Sequence, residues 1–400
     1  VDGFLFAGWV VRIPAIKAQV GASAGQLGLA LLGVSVGAVA TMVLTGRLCR
    51  TFGSERVTVA TGVLLALSIA LPPRTHSAPA LGMVLLLFGV SYGGMNVAMN
   101  SVAVDLVAAL RRPVMSGFHA AYSMGGLVGA GLGGLLAPHL SAATHLLLLT
   151  PVGLVAVALA GRVLIAHPLR RPARPTGARR PEAVPSAASG PAAHHSGGGS
   201  GHKSVQTGGT QGTALLVAVF GLIAACTAYG EGALAEWGPL HIQQDLHGGS
   251  GIAAAGYACV ALAMTLGRLS GTALLERLGQ TRALVLGGLT ACTGMLIGAL
   301  APYIPLVMAG FALTGLGLAN LFPTAIARAG ELTGPSGVAA ASTLGYGGLL
   351  LGPPSIGFLT DAFGLPTALT TVAVLAAVAA GIAYAARNSG THRPGAPREG

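Results

Sequence analysis

Apolar runs of about twenty residues, each closed by a short polar break, recur along the whole chain. Runs of that length cross the hydrocarbon core of a bilayer as α-helices. They predict twelve spans, at about 1–15, 25–45, 57–72, 80–105, 116–137 and 144–165, then 213–238, 251–271, 282–301, 304–327, 336–359 and 365–386. Apolar residues are continuous within each run rather than alternating, which excludes a β-barrel. Between the sixth and seventh spans, 166–212 is rich in Pro, Gly, Ser, Arg and His, a composition that builds no packed core. The pattern therefore reads as an all-α polytopic membrane protein. It has an N-terminal six-helix half (1–165), a disordered linker (166–212), a C-terminal six-helix half (213–386) and a tail (387–400).

Composition agrees with lipid as the solvent: 53% of residues are hydrophobic and 8% charged, with a mean hydropathy of +0.74. The net charge of +11 does not point to nucleic acid, because the basic residues sit at span ends and in loops without an aromatic stacking platform. Their placement encodes topology instead. Of the 22 Lys and Arg residues, only Arg12, Lys17 and Arg74 fall on the side opposite the linker. Positive charge collects on the cytoplasmic side, so the linker and both termini are expected to be cytoplasmic. Arg greatly outnumbers Lys, and Ala and Gly abound, as in GC-rich bacterial genomes, which suggests the bacterial cytoplasmic membrane. Only about eleven apolar residues precede Arg12 and the chain starts at Val1, so the first span is expected to begin in mid-helix, clipped at its N-terminus. No cleavable signal peptide is visible. Cys49, Cys226, Cys259 and Cys292 lie far apart and read as packing residues, with no metal site and no cofactor expected.

The halves echo each other. AYSMGGLVGAGLGGLLA (121–137) and TLGYGGLLLGPPSIGFL (343–359) share a Gly-Gly-Leu followed by spaced glycines, and GRLCRTFGSER (46–56) has a counterpart in GTALLERLGQTR (271–282). Parallel halves around a central site are a transporter architecture. On these residues the chain resembles the major facilitator superfamily, whose loop signature is matched by Gly46, Leu48, Gly53 and Arg56. Arg50 stands where that family usually has Asp, and Thr272 where an acidic residue is expected, so the charge pairing that steadies the inward-closed state is altered. The segments DGFLFAGWVVRIPAIK (2–17), QLGLALLG (26–33), NVAMNSVAVDL (96–106), MSGFHAAYSMGGLVGAGLGG (115–134), EGALAEW (231–237) and LGYGGLLLGPPSIG (344–357) are similar to a YbjJ-like, fucose-permease-like bacterial branch.

Ionisable groups inside spans are functional candidates, because each costs several kcal/mol unless paired or hydrated. The resemblance implies a proton-binding carboxylate at Asp2; a helix-end charge is the alternative. Glu231 falls in the outer part of the seventh span and is a coupling or substrate candidate, whereas Glu236 reads as an interfacial carboxylate. Trp237 is either a sugar-stacking surface or a belt tryptophan. Asn96 and Asn100 share one helical face, continued by Ser91 and Tyr92. His119 and Tyr122 in the fifth span, with Ser123, can bind a hydroxylated solute or relay protons. Asn320 and Tyr346 are further cavity candidates, and Asp105 reads as a charge partner of Arg111 and Arg112. Gly46, Arg50, Gly53 and Arg56, with Arg268 and Gly271 in the second half, form the expected conformational loop motif. Gly129, Gly131 and Gly134 spell GxGxxG inside an apolar helix, with no strand before them to make a dinucleotide site. Glycine pairs such as Gly33/Gly37, Gly89/Gly93, Gly125/Gly129 and Gly348/Gly352 let helices approach closely. Gly352, Pro353 and Pro354 predict a bend. His194, His195 and His202 read as spacer.

No GxxxxGK[ST] loop, HExxH or nucleophile constellation occurs, so neither ATP-driven transport nor an enzyme is expected. The sequence thus points to a secondary transporter of a small polar, sugar-like solute, working by alternating access, proton-coupled and monomeric, with solute, protons and the lipid bilayer as its partners. A drug or metabolite efflux antiporter, or a non-transporting scaffold of the same fold, stands as the alternative.

Overall fold

The computed structural model describes residues 1–110, 115–166 and 208–388. Nearly all of the linker, the tail beyond Asn388, and Arg111, Arg112, His194, His195 and His202 lie outside the described residues. The helices are α1 (Asp2–Val10), α2 (Ile13–Val20), α3 (Ala24–Phe52), α4 (Ser54–Ser68), α5 (Ala78–Leu110), α6 (Met115–Leu136), α7 (Ala142–Ala166), α8 (Gly208–Glu236), α9 (Gly238–Gln244), α10 (Ser250–Leu269), α11 (Gly271–Leu278), α12 (Gln280–Leu300), α13 (Ile304–Leu318), α14 (Leu321–Thr333), α15 (Pro335–Phe363) and α16 (Leu365–Ala385). Four consecutive pairs continue one another: α1–α2, α8–α9, α10–α11 and α13–α14. Among the described residues, sixteen helices thus make twelve rods. Among the described residues nine candidate spans are long and apolar enough to cross a membrane; α1–α2, α6 and α15 complete the twelve.

The breaks have local causes. In α1–α2 the chain turns at Val11 and Arg12, and Pro14 enters the first turn of α2, where its missing N–H costs nothing. The seventh rod repeats this device at Trp237, with Pro239 opening α9. Trp9 and Trp237, just before these breaks, are each 1% exposed. Trp237 is therefore a core residue, neither a belt tryptophan nor a surface offered to a solute, and its buried indole N–H has no hydrogen-bond partner among the described residues. The turn between the second and third rods is a glycine in both halves, Gly53 at φ 89° and Gly279 at φ 75°. A side chain at such angles is strained, which gives the repeated loop motif a backbone reason independent of its charges.

Packing relies on missing side chains. A Cβ at Gly37 would overlap the Leu86 carbonyl, and Cβ atoms at Gly89 and Gly93 would overlap the backbone of Val34 and Ala38, so α3 and α5 lie backbone to backbone. Gly348 meets the carbonyl of Ala225 in the same way and joins α15 to α8. The obstacle there is main chain, which cannot rotate aside. Gly348→Val should therefore cost about 2 kcal/mol or more through overpacking, read as a lower unfolding temperature in detergent, while the same change at Gly131, which faces open space, should leave it unaltered. The helix α15 passes through Pro353 and Pro354 without interruption.

Two helix pairs make the main junction of the halves, α3 with α15 and α6 with α10, and α2 meets α9 beside them. Large apolar residues on the outer surfaces, including Leu135, Leu159, Val163 and Leu269, are exposed, as lipid-facing positions are. The end of the bundle carrying Gly21, Ser77, Ser141, Gly249 and Gly364 is termed distal; the end carrying Gly53, Gly279 and Gly334 is proximal.

Candidate functional site

The sequence places polar side chains at the same level of several rods, and the fold turns them toward the junction of the halves. On α5, Tyr92, Asn96 and Asn100 follow one another at four-residue intervals, on one stripe. The Tyr92 and Tyr122 hydroxyls are 2.8 Å apart and tie α5 to α6. Phe6 stacks on Tyr92 with ring centroids 5.1 Å apart, and the Phe88 ring lies nearly parallel to Tyr92 with centroids 6.3 Å apart. Asp2, 3% exposed, belongs to the same cluster: its charge reaches both tyrosine hydroxyls. Neither of its carboxylate oxygens has a hydrogen-bond partner among the described residues. The Asn100 amide donates to the Asn96 carbonyl at 2.9 Å and to its side-chain oxygen at 3.1 Å, and both residues are half-buried.

Across the interface stands a charged pair. Arg268 Nη2 lies 3.3 Å from both oxygens of Glu231, and Arg268 Nη1 donates to the Ser123 hydroxyl at 3.1 Å. The arginine thus holds a carboxylate of its own half and a hydroxyl of the other. Side-chain exposures of 23% for Arg268 and 31% for Glu231 leave the pair partly exposed. Tyr257 on α10 lies within electrostatic reach of both clusters, of Glu231 and Arg268 and of Tyr92 and Tyr122. Tyr346 on α15 lies within electrostatic reach of Tyr92.

Several sequence expectations change here. Arg268 is not a loop anchor: α10 runs on through Ser270 into α11, so Arg268 lies ten residues before the end of its rod, near its middle. Glu231 likewise lies well inside α8–α9, which extends to Gln244. Gly271 is packed against the Asn320 side chain rather than in the proximal loop. Asn320 is a helix-break residue, because its amide donates to the Gly267 carbonyl at 2.8 Å and pins the α13–α14 break to the α10–α11 break. It thereby fixes the main chain beside Arg268. Glu236, read as interfacial, is 5% exposed, with one oxygen lacking a partner among the described residues. Gly46, Arg50, Gly53 and Arg56 do lie at the proximal turn, and Arg50 is exposed. His119 is on α6, but its side chain lies outside the described ones. Sequence reasoning missed Tyr257, whose only signal was a tyrosine within an apolar run. No group of three or more potential metal ligands occurs among the described residues. A cavity of about 530 Å³ lined by Thr213, Val217, Thr333, Ser336 and Leu344 sits at the proximal ends of α8 and α15, more than three turns from Glu231, and is almost wholly apolar.

Twelve rods in two bundles, meeting around a polar cluster, have the architecture of a membrane transporter. The family model of the Major Facilitator Superfamily matches residues 3–301 and 220–400, and the chain belongs to that family. An MFS-type transporter of Yersinia pestis is 30% identical over 379 residues, covering 94% of this chain and 90% of that protein. A transporter of Sinorhizobium fredii is 31% identical, covering 96% and 94%. A membrane protein of Rhizobium meliloti is 28% identical, covering 99% and 89%. Among solved structures, the nucleoside transporter NupG superposes with a TM-score of 0.68 at 13% identity, covering 98% of this chain and 97% of that one. A D-xylose-proton symporter superposes with a TM-score of 0.69 at 12% identity, covering 96% and 95%. At these identities the likeness is one of fold.

Proposed function

We propose that the chain is a proton-coupled secondary transporter that carries a small, hydroxyl-rich polar solute through the bacterial cytoplasmic membrane by alternating access. The observation that carries this reading is the Glu231–Arg268–Ser123 link. A carboxylate that exchanges a proton controls an arginine that also grips the opposite half. Charged Glu231 holds Arg268; protonated Glu231 releases it, and the cross-half bond to Ser123 then competes with solute oxygens. Asp2, buried beside the Tyr92–Tyr122 pair, is the second proton-exchanging group. Tyrosine hydroxyls and asparagine amides supply donors and acceptors suited to a neutral solute with several hydroxyls. The halves 1–165 and 213–386 rock as bodies, the linker and both termini are cytoplasmic on the positive-inside bias, and the distal face is then the outer one. One chain carries the whole site.

Reconstitution into proteoliposomes with an inward proton gradient, screened against radiolabelled hexoses, pentoses, polyols and nucleosides and against cationic dyes, tests this. Uptake of at least one hydroxylated solute above empty liposomes is expected. Absence of flux across the whole panel would favour a scaffold, and dye extrusion alone would favour efflux.

A further inference from the structure

At the distal face the carboxylate of Asp361, close to the end of α15, meets the first turn of α3 in the other half. Its Oδ1 accepts the Ala24 N–H at 3.0 Å, and its Oδ2 accepts the Gly25 N–H at 2.8 Å and the Ser23 hydroxyl at 3.0 Å. The first N–H groups of a helix have no partner within it, and the helix dipole draws a negative charge to them. Ser23 and Gln26 already form a capping box on α3, so Asp361 completes the cap from across the interface. Glycines permit the approach. A Cβ at Gly25 would stand 2.6 Å from Asp361 Oδ2, and one at Gly357 would stand 2.6 Å from the Ala24 carbonyl. Beside them Lys17 donates to Gln244 at 3.1 Å, crossing from α2 to α9.

We propose that Asp361 and the N-terminus of α3 form the latch that holds the distal face shut, so that access from the distal side begins when this cross-half cap comes apart. The proposal rests on the alternating-access reading above. Other bonds between the halves, Ser35 to the Leu349 carbonyl and Arg268 to Ser123, lie deeper. The cap at the rim must therefore open before them. Lys17 is the charged neighbour of Asp361, and Asp245 in turn acts on Lys17. Burial pushes the Asp361 carboxyl up, but the Gly25 N–H, the Ser23 hydroxyl, the Ala24 N–H and the Lys17 charge together hold it below the usual carboxylate range. A depressed carboxylate stabilises the latched form fully above the ordinary carboxylate value, about 3.9, and loses that effect as distal pH falls through the lowered value. The latch is therefore closed at neutral pH and opened by charge removal.

The test is double electron–electron resonance between spin labels on H76C and H247C, two exposed positions of opposite halves at the distal face, with the four native cysteines changed to Ser. The full chain in nanodiscs at pH 7 should show mainly the short distance. Asp361→Ala, and less strongly Asp361→Asn, should raise the long-distance population by about tenfold, the loss of charge-assisted bonds being a population shift. Ser23→Ala, which spares two of the three bonds, should give a smaller rise. An unchanged distribution in both Asp361 variants overturns the latch, whether or not the chain transports. Asp361 is exposed, so these variants fold, and flux assays on the parent chain judge the transport reading separately.

Discussion

Replacing Glu231 by Gln should collapse solute accumulation while sparing exchange. With one proton moved per solute, a gradient of about 1 pH unit is worth about 1.4 kcal/mol and sustains roughly tenfold accumulation. In Glu231→Gln the carbonyl oxygen still accepts from Arg268, so the site keeps its shape and the arginine its orientation toward Ser123. No proton can be carried at that position. The accumulation ratio should fall to about one, while counterflow between labelled and unlabelled solute at equal concentrations continues. Both are measured in the same proteoliposomes. Tenfold accumulation by the variant would remove Glu231 from coupling and shift the role to Asp2.

The second large effect is structural. Arg12 is 3% exposed at the α1–α2 break, where Nε donates to His145 Nδ1 at 2.8 Å and Nη1 to the carbonyls of Leu140 at 3.1 Å and Ala137 at 3.5 Å. Those carbonyls belong to the turn that follows α6, outside any helical ladder, and His145 belongs to α7. One guanidinium therefore ties three rods at the distal end of the N-terminal half. Arg12→Ala leaves the buried His145 Nδ1 and two part-buried carbonyls without their donor and should cost about 3 kcal/mol, lowering the unfolding midpoint in detergent on the order of 5–10 °C. Arg74→Ala, an exposed arginine of the same face, should leave it unchanged. Equal midpoints for the Arg12 variant and the parent would show that the guanidinium contributes nothing net.

How far the sequence revealed this depended on whether a feature is local. The rods were legible because solvation by lipid is decided residue by residue, and their number followed from hydropathy alone. Gly53 and Gly279 were legible as a repeated motif, although their significance is a positive φ rather than the charges around them. The breaks at Asn320 and Ser270 were hidden inside apolar runs, and Asn320 was read as cavity-lining because the Gly267 carbonyl it serves lies on another rod, 53 residues away. The Glu231–Arg268 pair joins residues 37 apart on different helices, and no periodicity connects them. Trp237 misled because a tryptophan near a span end is commonly interfacial, whereas here the rod continues past it into α9 and buries it. Asp361 gave no signal in the sequence, since its partners Ser23, Ala24 and Gly25 come from the opposite half of the chain.

Alternating access coupled to protons is the central claim, and proton movement during solute entry tests it most directly. Proteoliposomes are prepared with equal pH on both sides and weak external buffer, and a solute that scored in the uptake screen is added outside. The account predicts a rise in external pH matching one proton taken up per solute, absent in Glu231→Gln. Solute entry at the parent rate with no change in external pH would contradict it.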